Sequence, residues 1–445
     1  MTTIALCGWP LPGAINGVVM LARRLRERGH QVWIISIPDA APVVAEAGLM
    51  FEPVLAEMFP TGFLVNLRKQ FAELGPFALL RERRRWTSRY EKLIGDVLAG
   101  RNREVDEALD RIAPQLVLLS PDVPHLALIG LLARRRGIPM AYATSLFSHY
   151  PHPVNPPLSS LHVPTHSPLG AWHVRLIWAR HHIVGRIRHA AITWLGLDIN
   201  MLRFLSPLAR LTGQRRLSWR SFLAPLAVAP EFFLSAEELD FPAPLPPRRH
   251  RIGFAINPDR TESDFPWDRI DPTRKLLYCS LGTLLYLPLQ RHRELLQAMI
   301  DAAAELPGWQ LVMATGSYVH PDELTGYPAG AIVMSRVPQL QILQRAALMI
   351  THAGANSVHE CVYFGVPSVL LPIAFDQPGC AARMVYHGLG VLGDPRRATA
   401  ADIRRLIETA AAPEFALRCT EMSARIRQPT YTEAGFAALE ALAGE

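Results

Sequence analysis

Lysine is the scarcest of the common residues in this chain: of 46 lysines and arginines among 445 residues, only Lys69, Lys92 and Lys275 are lysines. Nucleic-acid binders usually draw on both residue types, so the arginine excess reads as a trait of genomic composition. No DNA- or RNA-binding motif accompanies it, and no nucleic-acid partner is expected. Cysteine is also sparse. Cys7, Cys279, Cys361, Cys380 and Cys419 are scattered, odd in number and without a C-x-x-C pair, which argues against a disulfide framework or a zinc site. No apolar run reaches the ~20 residues that span a bilayer. The N-terminal stretch MTTIALCGWPLPGAING lacks the basic start and unbroken apolar core of a secretory leader, so a cytoplasmic location is expected. Charged residues make up 19% and apolar ones 49%, too little charge and too much core material for a disordered chain. No repeat of 20 to 50 residues is visible, which disfavours solenoids and propellers.

What is present is a β/α alternation that runs twice. Residues 3–8 (TIALCG) are a short apolar run, 17–28 (GVVMLARRLRER) place apolar side chains at helical spacing, and 31–37 (QVWIISI) form a buried strand after Gly29. The runs at 115–119 and 138–143, with a helix near 124–136 between them, repeat the theme. Strand candidates return at 275–280, 309–314, 330–334, 347–351 and 368–373. The expected class is α/β, with two doubly wound parallel-sheet domains. The stretch 241–273, crowded with Pro, Asp and Arg, reads as the linker between a domain at 1–240 and one at 274–428. Within the first, residues 171–220 carry Arg175, Arg180, Arg186, Arg188, Arg203, Arg210, Arg215, Arg216 and Arg220 against one acid, Asp198. The same stretch holds Trp172, Trp178, Trp194 and Trp219. Two readings stand side by side: helices packed on the first domain with arginines in water, or a surface for lipid.

The chemistry concentrates between Thr351 and Gln377. Small residues Ala353, Gly354 and Ala355 follow an apolar strand and precede a helix expected to begin near Ser357, so backbone can approach a ligand closely. A helix start binds phosphate oxygens through unpaired N–H groups and its dipole. His352 would face the same anion. Asp376 and Gln377 follow the next strand at the corresponding edge. Duller explanations exist: Ser357-Val-His-Glu360 fits a capping box, and Asp376-Gln-Pro378 fits a helix entry.

The spacing of His352, Gly354, Asn356, Ser357, Glu360, Gly365-Val366-Pro367, Asp376 and Gln377 resembles the donor-binding signature of the family 1 glycosyltransferases, the UDP-glycosyltransferases of the GT-B fold. The likeness extends to Ser280-Leu-Gly-Thr283, Val337-Pro338-Gln339 and Glu238-Leu-Asp-Phe-Pro242. It implies two Rossmann-like domains facing across a cleft, acceptor on the first and nucleotide sugar on the second, and a C-terminal helix at 429–445 crossing back to the first domain. By the same resemblance, backbone at Val337 and Gln339 would meet the uracil, Glu360 the ribose hydroxyls, and His352, Asn356, Ser357 and Thr283 the diphosphate. Asp376 and Gln377 would hold the sugar. The resemblance implies inverting transfer of a hexose, glucose first, from a UDP-sugar co-substrate, with no metal and no other cofactor.

One element of the signature is missing. Inverting transfer to a neutral hydroxyl needs a base, and the family supplies a histidine in a first-loop G-H-x-x-P motif, oriented by an aspartate. Here the loop reads Gly13-Ala14-Ile15-Asn16-Gly17, with Ala14 at the histidine position, and the nearest carboxylate to the expected aspartate is Asp122. Three explanations stay open. Another residue is the base, Asp122 first, with His125 and His149 behind it. Alternatively, the acceptor is already ionised or acidic, so that positioning suffices. Finally, the chain binds donor but turns over poorly, as a glycosyltransferase-like binding or partner protein. Asp122 also fits a helix N-cap. Residues 60–90 and 171–220 supply apolar side chains beside arginines, which points to a hydrophobic or amphiphilic small-molecule or lipid acceptor. The second of these segments also raises peripheral association with the inner membrane surface.

Overall fold

Short apolar runs bounded by turn residues become strands, and the arginine-faced segments between them become helices, in the computed structural model of the chain. It describes residues 1–64, 66, 76–121, 126–165, 167–194, 202–211, 229–254, 256, 264–283 and 287–444. The first sheet is 7-stranded and comprises β1 (Thr3–Cys7), β2 (Gln31–Ser36), β3 (Met50–Pro53), β4 (Leu116–Leu119), β5 (Met140–Thr144), β6 (Glu231–Phe233) and β7 (Arg249–Arg251), in spatial order β3-β2-β1-β4-β5-β6-β7. The second is 6-stranded: β8 (Lys275–Ser280), β9 (Trp309–Ala314), β10 (Ile332–Met334), β11 (Ala346–Thr351), β12 (Ser368–Leu370) and β13 (Gly390–Leu392), in order β10-β9-β8-β11-β12-β13. Adjacent strands pair in parallel, and β4 and β5 are buried along their whole length, as strands covered by helices on both faces must be.

These strand orders locate the crevices. The winding direction reverses between β1 and β4 in the first sheet and between β8 and β11 in the second, and open α/β sheets bind ligands beyond the carboxyl ends of strands at such reversals. The loops after Cys7 and Leu119 therefore belong to one crevice, and those after Ser280 and Thr351 to the other.

The linker expectation is corrected at one point. β7 lies at 249–251, inside the stretch 241–273, and pairs with β6 as the outer strand of the first sheet. Its polar sequence, Arg-His-Arg, hides it from a search for apolar runs, and an edge strand tolerates such residues.

The two domains share an apolar seam. Leu146, Phe147 and Leu158 of the first pack with Val358, Val362 and Met384 of the second. Gly379 N donates to Leu158 O at 2.7 Å, and a Cβ on Gly379 would stand 2.6 Å from that carbonyl oxygen, so the contact requires glycine. The C-terminal helix Thr432–Leu442 returns to the first domain, where Phe436 and Leu439 are buried in its core. Arg28 fixes that helix through Glu433 (2.9 Å) and Glu440 (2.7 Å). Of the basic segment, helices occupy Pro168–Trp194 and Leu202–Leu211; residues 195–201 and 212–220 lie outside the described residues.

Candidate functional site

The carboxyl ends of β8 and β11 are neighbours, so their following loops meet. After β8, Gly282 has φ +82°, and a Cβ there would sit 2.5 Å from Cε1 of His352. After β11, Thr351 Oγ1 accepts from the N–H of Ala353 at 3.2 Å. Ala353 adopts φ +63°, a left-handed conformation that costs an L-residue about 1 kcal/mol and marks a loop constrained by its surroundings. A Cβ on Gly354 would lie 2.6 Å from His352 Nε2. The imidazole is thus seated against two backbones that carry no side chain, which is the close approach that small residues in this stretch made possible. His352 Nδ1 is buried without a hydrogen-bond partner among the described residues. Burial, and then the neighbouring His292, hold the His352 pKa down to about 4. The ring is therefore neutral at pH 7 and carries one N–H.

The helix opens at Ala355, two residues earlier than the sequence indicated, with Gly354 as its N-cap and no side-chain cap of its own. The cap comes from the next strand's loop: Asp376 Oδ2 accepts from the N–H of Ala355 at 3.0 Å. Burial raises the Asp376 pKa. The Val358 N–H reaches Gly354 O at 3.0 Å. Asn356 and Ser357 lie in the first turn, where amides have no carbonyl one turn back, so these two N–H groups and the positive helix end offer an anion site.

A capping box at Ser357 and Glu360 does not form, because Ser357 is already inside the helix. Glu360 instead accepts from Gln339 Nε2, and Gln339 Oε1 accepts from Tyr278 OH at 2.9 Å. This chain joins β8, the short helix Gln339–Leu343 and the helix Ala355–Tyr363 at one end of the sheet. Val337 is partly exposed just before the short helix. Gln377 is buried, and its Oε1 accepts from the N–H groups of Ile373 (2.7 Å) and Ala374 (2.9 Å). That brace holds Phe375 at φ +56°. Asp376 and Gln377 each have one oxygen so engaged, which leaves at most Asp376 Oδ1 and Gln377 Nε2 for a ligand. Thr283 is exposed at the end of the β8 loop. Among the described residues, no group of three or more His, Cys, Asp or Glu side chains could hold a metal ion.

The first domain meets this helix end directly. Asn356 Nδ2 donates to the carbonyl of Gly13 at 3.1 Å. Gly13 and Ala14 sit in the first turn of the helix Pro12–Glu27, which follows β1. Ala14 is 8% exposed and packs in a core cluster with Trp9 and Phe59. Asp122 and His125 lie outside the described residues. His149, five residues after β5, stacks on Tyr150 with ring centroids 4.7 Å apart and lies between Glu231 (3.6 Å) and Phe233 (centroids 5.9 Å), the first and last residues of β6.

Sequence reasoning missed a buried latch between the domains. Arg383, on the helix Gln377–Tyr386 that begins beside Asp376, is wholly buried and donates to Asp240 Oδ1 (2.7 Å), Asn155 Oδ1 (2.9 Å) and Ser148 O (3.1 Å) of the first domain. Its guanidinium lies over the rings of Phe241 (4.4 Å) and Phe147 (4.9 Å). Arg251 binds the other Asp240 oxygen at 2.7 Å. Burial pushes the Asp240 carboxyl up, but the Arg383 and Arg251 guanidiniums outweigh it and hold the group below its ordinary value. The only sequence signal was the acidic stretch Glu238-Leu-Asp-Phe-Pro242, whose partner 143 residues away no local pattern reveals.

Residues 226–415 match the family model described as UDP-glucoronosyl and UDP-glucosyl transferase. An oleandomycin glycosyltransferase of Streptomyces antibioticus is 35% identical over 42% of this chain and 43% of its own length. A zeaxanthin glucosyltransferase of Pantoea ananas is 27% identical over 88% of this chain and 84% of its own. The chain spans less than half the length of the first curated relatives it matches, from 33% to 47%. Among solved structures, a glycotransferase of kitacinnamycin superposes with TM-score 0.68 at 20% identity, over 99% of this chain and 98% of that one. The glycosyltransferase VinC, solved with dTDP, superposes with TM-score 0.65 at 16% identity, over 99% of both chains. The structural likenesses show the GT-B fold, two parallel-sheet α/β domains facing each other, and the family-model match covers 226–415, the second domain and the end of the first.

Proposed function

We propose that this chain is an inverting glycosyltransferase that moves a hexose, glucose, from a UDP-sugar to a hydrophobic small-molecule or lipid acceptor in the cytoplasm. The observation that carries the reading is the contact of Asn356 with Gly13, which sets the open helix end of the second domain against the β1 loop of the first. The diphosphate takes the amides of Asn356 and Ser357, with His352 and Thr283 beside them. As the bond from the anomeric carbon to UDP breaks, negative charge grows on the diphosphate, and a fixed helix end and N–H donors stabilise it without reorganising. Glu360 accepts from the ribose hydroxyls, which suits a ribose with both present. Backbone at Val337 and Gln339 meets the uracil, and Asp376 Oδ1 and Gln377 Nε2 hold the sugar. The acceptor oxygen attacks the opposite face and yields a β-glycoside.

Asp122 is the base in this reading, since Ala14 has no group that accepts a proton. Ala14 also favours a second reading, in which the chain binds the donor as a partner protein and turns over poorly. One experiment separates them. The protein, Asp122→Asn and Ala14→His are each incubated with UDP-glucose and a panel of apolar alcohols and acids, and UDP release and glucoside are followed. Turnover that collapses in Asp122→Asn supports the displaced base. Turnover only of acids, untouched by that substitution, assigns an ionised acceptor and removes Asp122 from the mechanism. Activity only after Ala14→His supports the binding-protein reading, and no UDP-glucose binding by any of the three refutes the donor site.

A further inference from the structure

The helix Pro168–Trp194 is apolar on two opposite faces, and only one of them is covered. Val174 and Trp178 are buried, and the Trp178 indole N–H donates to the Asn155 carbonyl at 2.7 Å. At about 100° per residue, Leu169, Trp172, Leu176, Ile183, Ile187 and Trp194 fall within an arc of about 60° on the side away from Val174. All six are exposed, from 46% for Leu176 to 86% for Trp194. The stripe runs about 38 Å along the helix at 1.5 Å per residue. Scattered apolar residues on a surface need no explanation, but a continuous row of this length marks an interaction site. By the same spacing Arg180 stands at the edge of the row and Arg175 and Arg186 flank it, and the helix contains no Asp or Glu.

We propose that this helix docks lengthwise on an anionic lipid bilayer, its stripe sunk among the acyl chains nearest the headgroups and its arginines on lipid phosphates. Tryptophan at both ends suits the boundary between headgroup and hydrocarbon, and cationic side chains beside an apolar face are the composition of helices that lie on membranes. The helix lies on the bilayer rather than through it: among the described residues none is long and apolar enough to cross. A second copy of this chain is the competing occupant. Pairing two such helices would set two rows of arginine together with no carboxylate between them, whereas lipid phosphates supply the missing charge. The proposal does not rest on the donor site. It adds a route by which a lipid-dissolved acceptor would reach the first domain.

The test is flotation of the full chain with vesicles of phosphatidylcholine alone and of phosphatidylcholine with phosphatidylglycerol, at low and high salt. Two variants accompany it: Ile183→Ser/Ile187→Ser and Arg175→Gln/Arg180→Gln. All four positions are exposed, so unchanged thermal unfolding and UDP-glucose binding report that each variant is folded. The expected result is binding to the anionic vesicles, weakened by salt and reduced about tenfold or more by each variant. Failure of the unmodified chain to float, or undiminished flotation of both variants, overturns the proposal. A dimer in vesicle-free buffer that the serine variant abolishes, without vesicle binding, assigns the stripe to a second copy and overturns it too.

Discussion

Replacing Arg383 with methionine keeps an unbranched apolar stem and removes the guanidinium with its charge, and so tests the latch between the domains. The substitution deletes the bonds to Asp240 (2.7 Å), Asn155 (2.9 Å) and Ser148 (3.1 Å) and the guanidinium over Phe147 and Phe241. Asp240 keeps Arg251 but loses the other of the two guanidiniums that offset its burial. Removing one partner of a buried ion pair costs about 3 to 5 kcal/mol, because the other charge is left uncompensated. For domains of this size that is a fall in Tm of roughly 10 °C. Asp240→Asn should cost a similar amount, since it strands two guanidiniums. The double variant should be about 2 kcal/mol or more less unstable than the two single costs added, because the pair is in contact. Urea unfolding of the three variants measures this cycle. The sign of the pH effect follows from the lowered folded-state pKa of Asp240. Its stabilisation is full above the ordinary carboxylate range and is lost as pH falls through the folded value. In Arg383→Met that loss begins at higher pH. A cost under about 1 kcal/mol for Arg383→Met, or simple additivity in the double variant, would refute the latch.

Other positions give separate checks. Gly282→Ala places a Cβ 2.5 Å from His352 at φ +82°, so it should cost about 1 to 3 kcal/mol and weaken UDP-glucose binding in calorimetry; donor affinity equal to that of the unmodified chain would contradict the seating of the imidazole. Glu360→Gln should raise KM for UDP-glucose several-fold while affecting a dTDP-sugar less, because the latter lacks the 2′-hydroxyl; equal effects on both would remove Glu360 from the ribose. His359 is buried between Phe147 and Phe254 with its pKa driven down to about 3, chiefly by burial. A histidine with a lowered folded pKa stabilises above its unfolded value of 6.5 and loses that contribution as pH falls. Between pH 7 and 4.5, His359→Leu should therefore lose about 2 to 3 kcal/mol less stability than the unmodified chain; parallel stability curves would exclude the burial argument.

Much of the fold was legible because buried parallel strands are near-continuous apolar runs. The reading at 275–280 and 309–314 coincides with β8 and β9, and that at 31–37 with β2 to within one residue. The readings that drifted did so where polar chemistry rather than apolarity sets the boundary. The first helix starts at Pro12 because proline suits a first turn, well before the apolar spacing at 17–28 becomes regular. β7 went unseen because Arg-His-Arg carries no apolar signal. In the site, the run His352 to Gln377 was visible as one motif, but which groups cap which was not: Asp376 caps a helix 21 residues earlier in the chain, and Ser357 caps nothing of its own.

Local sequence determined where chain becomes strand, where it becomes helix, and which short loop is small enough to admit a ligand, because those outcomes depend on apolar spacing and side-chain bulk within a few residues. Only the tertiary structure decided that Gly13 meets Asn356, that Arg383 closes on Asp240, and that one face of Pro168–Trp194 stays uncovered. The first two join residues 343 and 143 positions apart, and they follow from how two sheets wind and meet.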